Sequence, residues 1–138
     1  MTLLMDRSTD LTEIKKLLLD LNISEDLKQD DLSYLKDLLE DIGVTLTIEG
    51  NLPKEKSTAS LFIKAIKECS TNAIRHGNAK NIKAVIKDDC LVITNDGKVP
   101  ESVSYGNGLK GIQIEVEQLG HSLNIDLEKE FKVEINNK

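Results

Sequence analysis

Aromatic residues are scarce in this 138-residue chain. Phenylalanine, tyrosine and tryptophan make up 3% of the residues, whereas hydrophobic residues as a whole make up 39%. A buried core must therefore be built mainly from leucine, isoleucine, valine and alanine. A chain of this length is expected to form one domain that is large enough for a two-layer core.

The chain also lacks an excess of basic residues and long apolar runs. Its formal net charge is −6, which argues against sequence-independent nucleic-acid binding, because that activity needs a basic surface. No apolar run approaches the ~20 residues that span a bilayer, and there is no signal-peptide pattern. We therefore expect a cytoplasmic domain with no nucleic-acid partner and no membrane contact, which is also compatible with the cytoplasmic part of a membrane-anchored receptor.

Cysteine and histidine occur twice each. Cys69 and Cys90 have no metal-ligand spacing, so we expect two reduced, buried thiols. His76 lies in a predicted helix and is expected to pack or to orient its neighbours. His121 follows Gly120 and is expected to be a surface turn residue.

Hydrophobic periodicity divides the chain into helices and strands. Apolar residues at helical spacing predict helices over 10–21, 24–43, 56–77 and 109–120. Alternating or short apolar runs predict strands over 44–49, 82–86, 91–93, 123–127 and 131–135. Asp88 and Asp89 are predicted to form a hairpin turn. This order predicts an α+β two-layer sandwich, with a mixed sheet covered on one face by helices.

The most informative polar residues lie between Glu68 and Gly77. This stretch is the second half of a helix predicted to end at Gly77, because glycine accepts the left-handed turn that ends helices. Glu68 and Asn72 are four residues apart and are therefore neighbours on the flank of its apolar stripe. A carboxylate beside an amide suits holding a hydrated divalent cation and directing a water or a hydroxyl. For this pair alone, a solvated helix flank is the simpler explanation.

Three motifs, in this order, resemble those of the GHKL ATPase superfamily in the form found in sensor histidine kinases. Glu68–Gly77 is similar to the N box, and Thr94-Asn95-Asp96-Gly97 to the first glycine box. Gly106-Asn107-Gly108-Leu109-Lys110-Gly111 is similar to the second glycine box. The resemblance covers roughly Leu32 to Asn136. It implies a GHKL-type ATP-binding catalytic domain over residues 32–138, preceded by a helical segment over residues 1–31.

The resemblance implies a site for ATP or ADP with Mg²⁺. Asn72 matches the magnesium ligand, and Glu68 matches the proposed general base. The glycines of the second glycine box, with Leu109 and Lys110, flank the start of a helix, where unpaired N–H groups and the helix dipole attract phosphate. A glycine-rich turn that merely caps the helix is the alternative explanation for this motif alone.

Adenine recognition is where the sequence departs from the superfamily. There, a carboxylate at the end of a central strand accepts the adenine amino group. Aligned without a gap, that position falls on Asn95, and Asp96 follows it before Gly97. A shift of one residue gives the role to Asp96, and an ordinary Asn-Asp-Gly turn is the third possibility.

The function implied by the resemblance is that of the catalytic domain of a two-component sensor histidine kinase. Such a domain transfers the γ-phosphate of ATP to a histidine on a dimerisation segment, which is expected to be absent here because no histidine precedes His76, and a response regulator acts downstream. The short loop over residues 98–105 is similar to that of nitrate- and desaturase-type sensors. The alternatives are an anti-sigma-factor-like serine kinase and a degenerate GHKL domain that serves only as a binding module, to which Asn95 points.

Overall fold

The computed structural model describes residues 29–99 and 107–137. Within these ranges the chain forms three helices and five strands. In chain order they are α1 (Gln29–Asp41), β1 (Thr45–Glu49), α2 (Lys56–Gly77), β2 (Asn81–Lys87), β3 (Cys90–Asn95), α3 (Asn107–Gln118), β4 (His121–Asp126) and β5 (Phe131–Asn137). The helix predicted over residues 10–21 and the glycine at position 106 lie outside the described residues, so the domain division at residue 32 stays a prediction.

The five strands form one mixed sheet in the order β1-β2-β3-β5-β4. β1 pairs with β2 in parallel, and the other neighbours are antiparallel. Asp88 and Asp89 have φ values of 52° and 62°, which are typical of the type I′ turn that joins two strands directly. The predicted hairpin between β2 and β3 is therefore confirmed.

One face of the sheet is apolar, and the helices pack on it. Alternate residues of the central strands point to this face, as the two-residue period of a strand requires. The buried residues of the sheet are Leu46, Ile82, Ala84, Ile86, Leu91, Ile93, Val133 and Ile135. The stripe of α2 that packs on them is also buried and consists of Leu61, Phe62, Ala65, Ile66, Cys69 and Ala73. The predicted two-layer α+β sandwich is confirmed.

The ends of α2 are fixed by caps that differ in part from the prediction. At the start, the Glu55 carboxylate accepts hydrogen bonds from the backbone N–H groups of Ser57 and Thr58 at 3.2 and 3.0 Å. The helix ends at Gly77 as predicted, but the left-handed residue is Asn78, with φ of 52°. Asparagine tolerates this conformation better than most residues with a side chain.

The two cysteines differ in their surroundings. Cys69 is fully buried on the sheet-facing stripe of α2, and burial raises the pKa of its thiol to about 12. Cys90 begins β3 and is only partly buried, so the expectation of burial holds for Cys69 alone. No helix among the described residues is long and apolar enough to cross a membrane.

Candidate functional site

Two contacts fix how α3 lies against α2. Lys64 on α2 forms an ion pair with Glu115 on α3, at 3.0 Å between Nζ and Oε1. Nearer the start of α2, Thr58 Oγ1 lies 3.5 Å from Nε2 of His121, which follows the end of α3. Residue numbers therefore fall along α2 as they rise along α3, so the two helices are antiparallel.

This arrangement sets the polar flank of α2 opposite the start of α3. Glu68 and Asn72 follow Lys64 at steps of four residues, so they share its flank of α2. Both helices rise about 1.5 Å per residue. By this spacing, one turn along from the ion pair, Glu68 is expected to lie level with Gly111, and after a second turn Asn72 is expected to lie level with the first residue of α3. We call Glu68, Asn72 and Gly111 the α2–α3 site.

The polar side chains of the α2–α3 site have free hydrogen-bonding capacity. Glu68 and Asn72 are both half-buried. Within the described ranges neither side chain forms a hydrogen bond or an ion pair. Their oxygens are thus available to a ligand instead of being used to hold the helices together.

Gly111 leaves space that packing does not need. A Cβ added at this position would meet no heavy atom within 4 Å apart from its neighbours in the chain and the nearby backbone of α3 itself. A glycine inside a helix is less favourable than alanine by about 1 kcal/mol, and neither a positive φ nor a close neighbour requires it here. Packing therefore does not explain the glycine at position 111. Close approach of a ligand to the backbone of α3 is the better explanation.

The first turns of α3 combine an anchored residue with an exposed cation. Leu109 is buried, and Lys110 and Gly111 are exposed. Burial of Leu109 holds the start of α3 in place, while the ammonium group of Lys110 remains in solvent. Of the remaining predicted phosphate-site glycines, Gly108 lies in the first turn of α3, and Gly106 lies outside the described residues.

Asn95 lies at the end of β3, on the side of the sheet that the helices cover. It pairs with Ile82 near the start of β2 and with Phe131 at the start of β5. Its side chain shares a face with the buried Leu91 and Ile93, and Asn95 is itself only 8% exposed. Its Oδ1 accepts a hydrogen bond of 2.8 Å from the backbone N–H of Gly97.

Asp96 turns the other way. Its carboxylate accepts hydrogen bonds from the backbone N–H groups of Lys80 and Asn81 and from Asn81 Nδ2, at 2.8 to 2.9 Å. The hydrogen bond from the Asn81 side chain, followed by those from the two backbone groups, lowers the pKa of Asp96 to about 2. Asp96 therefore ties the end of β3 to the connection between α2 and β2.

Sequence reasoning missed the residues that hold these elements in place. His121 is the first residue of β4 rather than a turn residue, it is half-buried, and its Nδ1 is buried with no hydrogen-bond partner among the described residues. The roles of Asn81 and Glu55 also went unpredicted. The spacing Glu55-x-x-Thr58 before an apolar periodic run was an available signal for the helix cap. The partners of Asn81 and His121 are distant in sequence, and no local pattern marks them.

Comparison with known proteins identifies the class of this fold. No family model matches the sequence. A stretch of 71 residues, 49% of the chain, is 35% identical to the sensor histidine kinase YxjM of Bacillus subtilis. The structure resembles the histidine kinase domain of the blue-light activated histidine kinase from Erythrobacter litoralis EL346, with a TM-score of 0.61 at 17% identity, over 96% of this chain and 79% of that one. It also resembles the cytoplasmic segment of the histidine kinase QseC, with a TM-score of 0.60 at 11% identity, over 100% and 95% of the two chains.

The chain therefore has the fold of histidine kinase domains, and the predicted similarity to sensor histidine kinases is confirmed. It spans 18% of the length of the curated relative, so the activity of that whole protein does not transfer with the fold. The similarity to nitrate- and desaturase-type sensors stays a prediction.

Replacing Asp96 with alanine should lower the stability of the fold in a pH-dependent way. The carboxylate has a folded-state pKa of about 2 against an ordinary value of 3.8, so it stabilises the fold above pH ~4 and loses this effect as the pH falls towards 2. After allowance for its exposure, we expect a loss of about 1–2 kcal/mol at pH 7, measured by urea unfolding.

The exposed Asp41 of α1 gives the control, because its carboxylate forms no hydrogen bond or ion pair within the described ranges. Asp41→Ala should leave the unfolding free energy within about 0.5 kcal/mol of the wild type. A deficit for Asp96→Ala that is the same at pH 7 and at pH 2.5 would contradict this account of the carboxylate.

Proposed function

We propose that the chain is the ATP-binding catalytic domain of a two-component sensor histidine kinase. It transfers the γ-phosphate of ATP to a histidine on a dimerisation segment, and the phosphate then passes to a response regulator. The observation that carries this proposal is the α2–α3 site, where a carboxylate and an amide that have no hydrogen bond or ion pair among the described residues lie on the flank of α2 that faces the first turns of α3, and Gly111 in those turns is open. The local identity of 35% to a sensor histidine kinase supports a histidine rather than a serine as the acceptor.

The start of α3 has the properties of a phosphate-binding site. Its first N–H groups have no partner within the helix, and the dipole is positive at this end. Gly111 lets phosphate oxygens approach the backbone. Lys110 is exposed in the same turn and adds a positive charge. The anchored Leu109 keeps these groups in a fixed position, which lowers the cost of ordering them on binding.

The residues also fit a magnesium ion bound together with the nucleotide. No group of three or more histidine, cysteine or acidic residues lies together in the described parts of the chain, so a cage made by the protein is not indicated there. Mg²⁺ in nucleotide sites needs only one or two protein ligands besides water and phosphate oxygens. Asn72 supplies a suitable oxygen, and the ion, when bound, neutralises charge that develops on the phosphates.

Glu68 is assigned to the transfer step. It lies one turn before Asn72 on the same flank of α2 and is half-buried. A carboxylate at this place accepts a hydrogen bond from the attacking imidazole and orients its free nitrogen towards the γ-phosphorus. General-base and orienting groups of this kind typically contribute ~10²- to 10⁴-fold to the rate.

Glu68→Gln should therefore leave nucleotide binding nearly intact and slow phosphotransfer by ~10²-fold or more. ADP affinity is measured by calorimetry, and transfer by following labelled phosphate onto a supplied histidine-bearing segment. Glu117→Gln is the matched control, because it is the same change at an exposed position on the facing helix, and it should transfer at a near wild-type rate. Transfer by Glu68→Gln within a few-fold of wild type, or transfer to a serine acceptor instead, would count against the proposal.

Asn72→Asp should change metal-dependent binding more than metal-free binding. The substitution places a negative charge where a neutral oxygen is proposed to contact the cation shell and lie near the phosphates. We expect weaker binding of ADP with Mg²⁺ than in the wild type, and a smaller change when the metal is chelated. Calorimetry with and without Mg²⁺ gives the two affinities, and equal losses in both would assign Asn72 a structural role only.

The substitution Gly111→Ala tests whether Gly111 is needed for a ligand to approach the backbone or for the packing of α3. Because the added Cβ meets no protein atom within 4 Å, unfolding should be unaffected or made harder by up to ~1 kcal/mol. ADP affinity should fall by about tenfold, equivalent to ~1.4 kcal/mol, because the methyl group occupies the space proposed for phosphate. Glu117→Ala, at an exposed position on the same helix, is the control. Unchanged affinity in the glycine variant would remove Gly111 from the site.

A further inference from the structure

The orientation of the Asn95 amide carries an inference about which base the site accepts. The backbone N–H of Gly97 can only donate, so the side-chain atom that faces it at 2.8 Å must be the acceptor Oδ1. The opposite orientation would set two donors against each other. The Nδ2 group is thereby directed away from Gly97, and it has no partner among the residues the structure describes.

An amide group so placed is costly unless something pairs with it. Asn95 is only 8% exposed and shares its face of β3 with core residues. Nδ2 itself is not completely buried in the described structure, so a ligand atom can reach it. A nearly buried donor that remains reachable is suited to an acceptor atom on a ligand.

We infer that Asn95, which stands where the resemblance implies recognition of the base, makes the nucleotide site accept 6-oxopurine nucleotides at least as well as adenine nucleotides. This inference rests on the proposed nucleotide-binding function. A carboxylate at this position can only accept hydrogen bonds, so it selects the amino group on C6 of adenine. The Nδ2 of Asn95 donates instead, and its partner is the keto oxygen on C6 of hypoxanthine or guanine. The second lone pair of Oδ1 still permits adenine, so its binding is weakened rather than abolished.

Asn95→Asp should reverse this preference. One carboxylate oxygen keeps the hydrogen bond from Gly97, and the other presents an acceptor where Nδ2 was. That oxygen attracts the C6 amino group and repels the keto oxygen. Sites that hydrogen-bond a substrate group discriminate strongly against analogues that leave their polar atoms unpaired.

The test compares ADP with inosine diphosphate, which present different hydrogen-bonding groups at the C6–N1 edge of the base and are otherwise alike. Calorimetry in Mg²⁺ is expected to give a wild-type Kd for inosine diphosphate equal to or below that for ADP. In Asn95→Asp the ratio should shift towards ADP by about tenfold or more. Asp96→Asn is the matched control, because that carboxylate points to Lys80 and Asn81, and its ratio should equal that of the wild type.

The possible outcomes distinguish failure of this inference from failure of the proposed nucleotide-binding function. A wild-type Kd for ADP below that for inosine diphosphate overturns the inference and leaves the nucleotide-binding function intact. A ratio that Asn95→Asp does not change also overturns it. Absence of binding by either nucleotide at millimolar concentration, with a folded circular-dichroism spectrum, overturns both. If Asn95→Asp does not fold, the wild-type ratio alone decides.

Discussion

The packing of α2 on the sheet is the constraint on which the remaining structure depends. Its sheet-facing stripe, which includes Phe62, Ile66 and Cys69, is almost completely buried. Each large side chain of this kind contributes roughly 1.5–3 kcal/mol through burial. A rotation of the helix that exposed this stripe would also carry Glu68 into the core, where an unpaired carboxylate is costly. The hydrophobic contacts thereby determine that Glu68 and Asn72 lie on the flank that faces α3.

Apolar contacts hold α3 against this flank, and polar contacts define its position along α2. Leu109, Ile112 and Val116 are buried and supply most of the attraction. The ion pair of Lys64 with Glu115 is about one-third exposed on each side, and pairs of this kind are worth about 0–1 kcal/mol. Its contribution is to the alignment of the two helices more than to stability. That alignment places the start of α3, the end proposed to bind phosphate, opposite the polar pair of α2.

Asn95 and Asp96, at the end of β3, make different contacts because successive side chains of a strand point to opposite faces. Asn95 points to the face covered by helices, and Asp96 points to the connection that precedes β2. The carboxylate that resembles a base-reading group therefore serves the fold, and the amide occupies the place proposed for base recognition. Against the pattern that the sequence resembles, aligned without a gap, the negative charge stands one position later, and this exchange changes the chemistry proposed to meet a nucleotide.

The sequence by itself determined the helices, the strands and the class of fold, because hydrophobic periods of 3.6 and 2 residues are local properties that each segment must satisfy in order to bury one face. It also marked the polar flank of α2, since the spacing of Glu68 and Asn72 is fixed within one helix. The sequence left open whether Asn95 or Asp96 points to the face of the sheet that the helices cover, and it gave no sign of the partners of Asn81 and His121. Only the tertiary structure decided these points. The orientation of Asn95 depends on the register of β3 with β2 and β5, and the position of Gly111 opposite Glu68 depends on how two helices distant in sequence align.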